Sequence, residues 1–241
     1  FICLLNPLLP HTACWHRHFL LLSLFAQKRY WMISTKFPTT HSERLELGQD
    51  AVHIPAGWEE YLDLLETCEY QVEYGDNEII LMSIASNTHE AIVANILGIL
   101  YQVLDHFPDM HALGSNRHIF IEEFQADYAP DAHVVKGAPL EKTLRKGLTA
   151  NLNPRIVFEV LSPSNREYDL GTKLPRYKKI SSVLQLIFIE QDYSLASVYS
   201  RIDDSNRWVN EDFDSLEQTM LLENSAVAVK DFYKKVGFDR K

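Results

Sequence analysis

The stretch "RIVFEVLSPSN", residues 155–165, sets the strongest constraint on this chain. Five of the six residues from Ile156 to Leu161 are apolar, which reads as a strand covered on both faces, and the sixth is Glu159. Alternation places Val157, Glu159 and Leu161 on one face and Ile156, Phe158 and Val160 on the other. A carboxylate inside such a strand is costly unless a cation pairs with it or a metal binds it. Arg155 and Lys173 are the candidate ion-pair partners in sequence. A second acid, Asp131, follows Pro130 at the head of another apolar run, "PDAHVV". Two acids on separate strands, with a lysine downstream, point toward a site for a hard cation. Mg²⁺ takes oxygen ligands, often only one or two carboxylates, and keeps its waters.

The surrounding chain supports a mixed α/β domain. "PAGWEEYLDLLETCEY" has Trp58, Tyr61, Leu62, Leu65 and Cys68 at helical spacing. "QVEYGDNEIILMS" reads as a hairpin turning at Gly75-Asp76-Asn77. "NTHEAIVANILGILYQVL" is the clearest helix, with Asn87 and Glu90 at capping-box spacing and one broad apolar face. Short strands follow at "HIFIEEF", "PDAHVV" and "RIVFEVL", with a loop containing Pro139 and Gly147 between the last two. "VLQLIFIE" is a buried strand, and "SLASVYSR" and "NRWVNE" alternate as outer strands of a meander.

The 241 residues are 46% hydrophobic and 23% charged, enough for a core in a single large domain. The net charge of −10 argues against a protein that coats nucleic acid by charge alone. The charge is unevenly placed, however. Residues 166–180 carry five basic residues against two acids, residues 136–146 four against one, and residues 190–223 only two against nine. Such a dipole allows a phosphate backbone to dock near residues 136–180, although a solvated helix face gives the same pattern. The three cysteines, without a CxxC, fit a reducing compartment and give no thiolate zinc site. No GxSxG surrounds Ser162 or Ser164, which suit a turn, and there is no phosphate-binding glycine loop. The apolar run Phe19–Ala26 is too short to span a bilayer, and we expect a cytoplasmic protein. Residues 1–31 differ in character from the rest. We expect the functional chain to begin near Met32, a secretory leader being the other reading of that segment.

Taken together, "APDAHVV", "PRIVFEVLSPSNREYD", Lys173 and Tyr177 resemble the bacterial putative-restriction-endonuclease family, formerly a domain of unknown function, of the PD-(D/E)XK nuclease superfamily. The resemblance implies an α/β fold with a restriction-endonuclease-like core, a mixed central sheet flanked by helices. It implies a nuclease-like domain over residues 55–210, after an irregular extension over 1–54 and before a tail over 211–241. It also implies a Mg²⁺-dependent (or Mn²⁺-dependent) endonuclease acting on DNA. Asp131 and Glu159 match the metal-binding acids, with Glu73 on the hairpin as a further ligand. The superfamily places a lysine two residues after the second acid; that position is Leu161 here, and the matching lysine is Lys173. Gln185 stands where relatives often carry glutamate. His89, matched in the family, is a candidate for contact with substrate. His133 and Asp127 read first as a hydrogen-bonded strand histidine and a loop acid, with contact with substrate and a place near the site as their other readings. Because Pro175 would clash with the carbonyl of residue 171, the helix is expected to start at Pro175 with Lys173 in the preceding loop. Cutting both strands would call for a homodimer. The alternative is a catalytically inactive module of the same fold that binds DNA or a protein partner.

Overall fold

In this computed structural model, residues 37–203 and 205–238 are described. At the centre lies a six-stranded sheet in the order β13-β12-β11-β10-β7-β4. Its strands are β4 (Met110–Gly114), β7 (Ala132–Lys136), β10 (Pro154–Leu161), β11 (Gln185–Glu190), β12 (Ala196–Arg201) and β13 (Trp208–Phe213). β10 runs parallel to β11 and antiparallel to β7, so the sheet is mixed.

The two faces of β10 divide as its alternation requires. Ile156, Phe158 and Val160 enter a core under the long helix α3 (Asn87–Leu104). Val157 and Leu161 enter a second core with Ile119, Tyr128, Leu174 and Tyr177. Glu159 points toward this second side, where every neighbour that can neutralise it must come from another element.

That side is covered by a second, seven-stranded sheet in the order β1-β3-β2-β6-β5-β9-β8 and by a short helical segment. The second sheet contains β1 (Val52–Pro55), β2 (Val72–Gly75), β3 (Glu78–Leu81), β5 (Ile119–Ile121), β6 (Ala126–Tyr128), β8 (Glu141–Arg145) and β9 (Leu148–Asn151). The expected hairpin is β2–β3, and its turn residues Asp76 and Asn77 have φ of 55° and 58°. This left-handed pair matches the right-handed twist of the strands it joins.

Several expectations are corrected. The region 1–54, read as irregular, contains α1 (His41–Glu46) and β1 within its described part, while residues 1–31 lie outside the described residues. The loop with Pro139 and Gly147 holds the hairpin β8–β9. The long helix is capped by Ser86, whose side chain accepts from the His89 backbone N–H, so the cap falls one residue before Asn87. Residues 211–238, expected as a tail, end β13 and then form the hairpin β14 (Thr219–Leu222) and β15 (Ser225–Ala228) and the short helix α6 (Val229–Phe232). Met220, Leu222, Val227, Val229 and Phe232 are buried in the α3 core, so this segment completes the core. Between α1 and α3 lies α2 (Trp58–Thr67), the amphipathic helix read from sequence.

Arg44 of α1 is 1% exposed, and its guanidinium donates to the carbonyls of Gly48, Asp50, Leu81 and Met82. These bonds fasten the N-terminal segment to the end of β3. Arg44→Met removes donors from four partly or fully buried carbonyls and should cost about 3 kcal/mol, or roughly 10 °C in melting temperature. Thermal denaturation of the variant checks this; a shift under about 2 °C would show that the segment is not part of the cooperative fold.

Candidate active site

The ring of charge around Glu159 is assembled from four elements. Lys173 comes from the helical segment after β10, made of α4 (Arg166–Tyr168), a π-helical turn (Asp169–Lys173) and α5 (Leu174–Tyr177). This corrects the expectation of a loop. The π turn carries a backbone bond from Leu174 N–H to Asp169 O, so the chain stays helical up to Pro175, which sits in the first turn of α5, where a proline is tolerated. The same turn brings Asp169 and Lys173 onto one face.

The Lys173 ammonium, 1% exposed, lies 2.8 Å from Glu73 Oε1, 3.1 Å from Asp169 Oδ1 and 3.3 Å from Glu159 Oε1. It also faces the rings of Tyr168 and Tyr128, at 5.4 and 5.7 Å from their centroids. Tyr177 donates to the same Glu159 oxygen at 2.8 Å. Glu159 Oε2 accepts no hydrogen bond from a described residue, and Glu159 lines the cavity beside it. Of the two partners suggested by sequence, Lys173 is the one found, since Arg155 pairs with Glu223.

Asp131 precedes β7, where the ladder to β10 stops at the Ala132–Phe158 pair. Its Oδ2 accepts from the Val160 N–H at 2.7 Å, taking the place of the next strand carbonyl. His89, in the first turn of α3, puts Nε2 3.4 Å from Asp131 Oδ1. Asp131, Glu159, Asp169, Lys173 and His89 all line one cavity of about 540 Å³.

Four carboxylates thus face one lysine and one histidine. Burial pushes the Glu159 carboxyl well above the usual carboxylate range; Lys173 opposes this, and Asp169, Asp131 and Glu73 add to it. Asp169 is pushed up to about 6, again mainly by burial against the pull of Lys173. Burial alone would lower the Lys173 ammonium, but Asp169, Glu159 and Glu73 outweigh it and hold the charge firmly on. Burial alone would lower the His89 imidazole, but Asp131, together with Glu90 and Asp169, outweighs it and raises it. The pocket is short of positive charge.

Three of the candidate residues lie outside the cavity. Glu73 does not line the cavity. It is fully buried behind Lys173, accepts from the Ala129 N–H at 2.9 Å, and anchors the lysine instead of facing a ligand. His133 is turned toward the second sheet, where its Nε2 accepts from Asn151 Nδ2 at 2.8 Å, and it does not line the cavity either. Asp127 is buried elsewhere, accepting from Tyr61 at 2.5 Å and contacting His118 Nδ1 at 3.0 Å. The basic stretches are largely consumed internally: Arg166 pairs with Glu190, Arg176 with Asp76, and Arg145 with Glu59, Asp63 and Glu66. Gln185 is spent on the backbone of Leu221 and Glu223. Asp169 and Tyr177 are the residues whose place in the cluster the sequence reading missed.

Among the described residues, no three His, Cys, Asp or Glu side chains converge into a closed metal cage. Asp131 and Glu159 nonetheless suit a cation that keeps most of its waters and takes one or two carboxylates. The unbalanced negative charge around them is what such an ion would offset. No helix among the described residues is long and apolar enough to cross a membrane.

A mixed sheet with one acid at the head of a strand, a second inside its neighbour and a lysine from the next helix defines a restriction-endonuclease-like protein. The chain belongs to the Uma2 family, described as "Putative restriction endonuclease", whose profile matches residues 58–230. An uncharacterized protein of Synechocystis sp. is 26% identical over 151 residues, 62% of this chain and 82% of the relative. In fold, the chain is similar to the crystal structure of a "putative nuclease belonging to DUF820" from Anabaena variabilis. The two superpose with a TM-score of 0.61 at 20% identity, over 76% of this chain and 99% of the other.

Proposed function

We propose that this protein is an endonuclease-like hydrolase that cleaves DNA phosphodiester bonds with Mg²⁺ or Mn²⁺, in the pocket formed by Asp131, Glu159 and Lys173. The observation that carries this reading is the buried excess of carboxylate over cation, on residues that also open onto a cavity. Such an arrangement destabilises the protein alone, and strongly perturbed groups in a cleft are a signature of a working site.

Asp131 and Glu159 would hold the metal, Asp131 with its orientation fixed by the Val160 N–H and Glu159 with one oxygen fixed by Tyr177 and Lys173. A divalent ion held there acidifies a water and polarises a phosphoryl oxygen. Lys173 provides a fixed positive charge beside the reacting phosphate, in a dry environment where it acts strongly. Glu73 and Asp169 position that ammonium, a task that would otherwise fall to a flexible four-carbon stem.

One observation favours the second reading, an inactive binding module: the Lys173 ammonium is occupied by three carboxylates. The two readings diverge in a cleavage assay. The proposal expects labelled DNA oligonucleotides to be cut with Mg²⁺ or Mn²⁺ and spared with EDTA. Asp131→Asn, which keeps an oxygen to accept from Val160, should cut at least about a hundredfold more slowly. DNA binding that EDTA leaves unchanged, with no cleavage at all, would establish the binding module instead.

A further inference from the structure

We infer that the pocket accepts an unpaired strand of DNA and discriminates against intact duplex. This rests on the hydrolytic reading above and adds the form of the substrate to it.

The first ground is depth. The side chains of Glu159, Asp169 and Lys173 are only 5%, 4% and 1% exposed, and that of Asp131 only 16%. They lie in the wall of a cavity of about 540 Å³, within the range of pockets that enclose one small molecule. A duplex carries its phosphates on a convex outer surface. A duplex is stiff, with a persistence length of about 50 nm, and cannot fold one phosphate inward to recessed groups, whereas an unpaired strand can bend into the cavity.

The second ground is charge. Duplex DNA carries one negative charge per about 1.7 Å of axis, and proteins that dock it do so with lysine and arginine. Beyond the catalytic acids, this cavity is lined by Asp50, Glu69 and Glu90. Among the described residues that line it, the only arginine, Arg44, is fastened to four backbone carbonyls, and the only lysine is Lys173. The arginines of the segment beside it, Arg166 and Arg176, are already paired with acids. Among the described residues that line the cavity, no arginine or lysine is left free to neutralise a run of duplex phosphates. A single strand carries one charge per about 3.4 Å, half the density of the duplex, and a divalent ion held at the acids would offset the phosphate that enters the pocket. The remaining wall is neutral and polar, with Asn165 donating to Ser83 and Ser86 donating to Gln191.

The test uses the full chain with Mn²⁺ and three end-labelled DNAs of one sequence: a single strand, a duplex closed by hairpins at both ends, and that duplex with a single-stranded flap. Cleavage by Asp131→Asn is subtracted as background. The single strand and the flap should be cut at least tenfold faster than the closed duplex, with cuts confined to unpaired nucleotides. A closed duplex cut as fast as the single strand would overturn this inference while leaving the hydrolytic reading intact. Cleavage of none of the three would overturn both.

Discussion

Replacing Lys173 by methionine should destabilise the protein by about 3–5 kcal/mol at pH 8 and abolish cleavage. Methionine nearly preserves the volume but leaves Glu73, Glu159 and Asp169 buried with no cation among them; all three side chains are at most 5% exposed. Buried acids in that position take up protons instead of remaining charged. The folded-state pKa values of Glu159 and Asp169, which burial already raises, then exceed the unfolded ones further, so the folded variant binds more protons. The stability of such groups is fully present below the unfolded pKa and is lost as pH rises through the folded one. The deficit should therefore shrink as pH falls from 8 toward 5. The wild type carries the same sign more weakly, since Asp169 sits at about 6 against an ordinary 3.8. Denaturant unfolding of both proteins at several pH values measures it. A loss that does not vary with pH would mean that Lys173 contributes through packing alone.

The second large effect has opposite signs in its two readouts. Glu159→Gln should slow cleavage by a hundredfold or more while leaving the melting temperature unchanged or raising it by a few degrees. The amide oxygen can still accept from Tyr177 and Lys173. One negative charge is removed from a set in which burial and three other acids already disfavour it. Relief of that repulsion is worth about 1–2 kcal/mol, or roughly 2–6 °C in a domain of this size. An acid kept for structure would behave the other way, with stability falling and activity following it. Joint measurement of melting temperature and single-turnover rate separates the cases.

The parts of this site that can be read from sequence are those governed by strand alternation. Glu159 is conspicuous because its five neighbours in β10 are apolar and buried on both faces. Asp131 is legible as an acid at the head of an apolar run, the resemblance singles out Lys173, and the structure brings both to the same cavity. Asp169 escapes because its alliance with Lys173 depends on helical continuity that Gly171 and Pro175 oppose in a regular α-helix. The π turn restores that continuity. His133 shares a strand face with Asp131, yet alternation does not say how far a side chain reaches; Asn151 on the opposing sheet captures it. Glu73 shows the same limit, since a hairpin acid can face the cavity or the lysine behind it. In the fold, β8–β9 is hard to read because "EKTLR" is largely exposed and lacks an apolar face. The segment 211–238 buries single residues from a hairpin and a four-residue helix, too few per element to produce a periodic signal.

A pocket with too many acids for its cations should take up a divalent ion and give up protons as it does so, because Glu159 and Asp169 hold theirs above the usual range. Calorimetric titration of Mn²⁺ at pH 6, in two buffers of different ionisation enthalpy, counts those protons. The account predicts saturable binding with net proton release, both lost in Glu159→Gln. Binding that survives this substitution undiminished, or no binding at all, would contradict it.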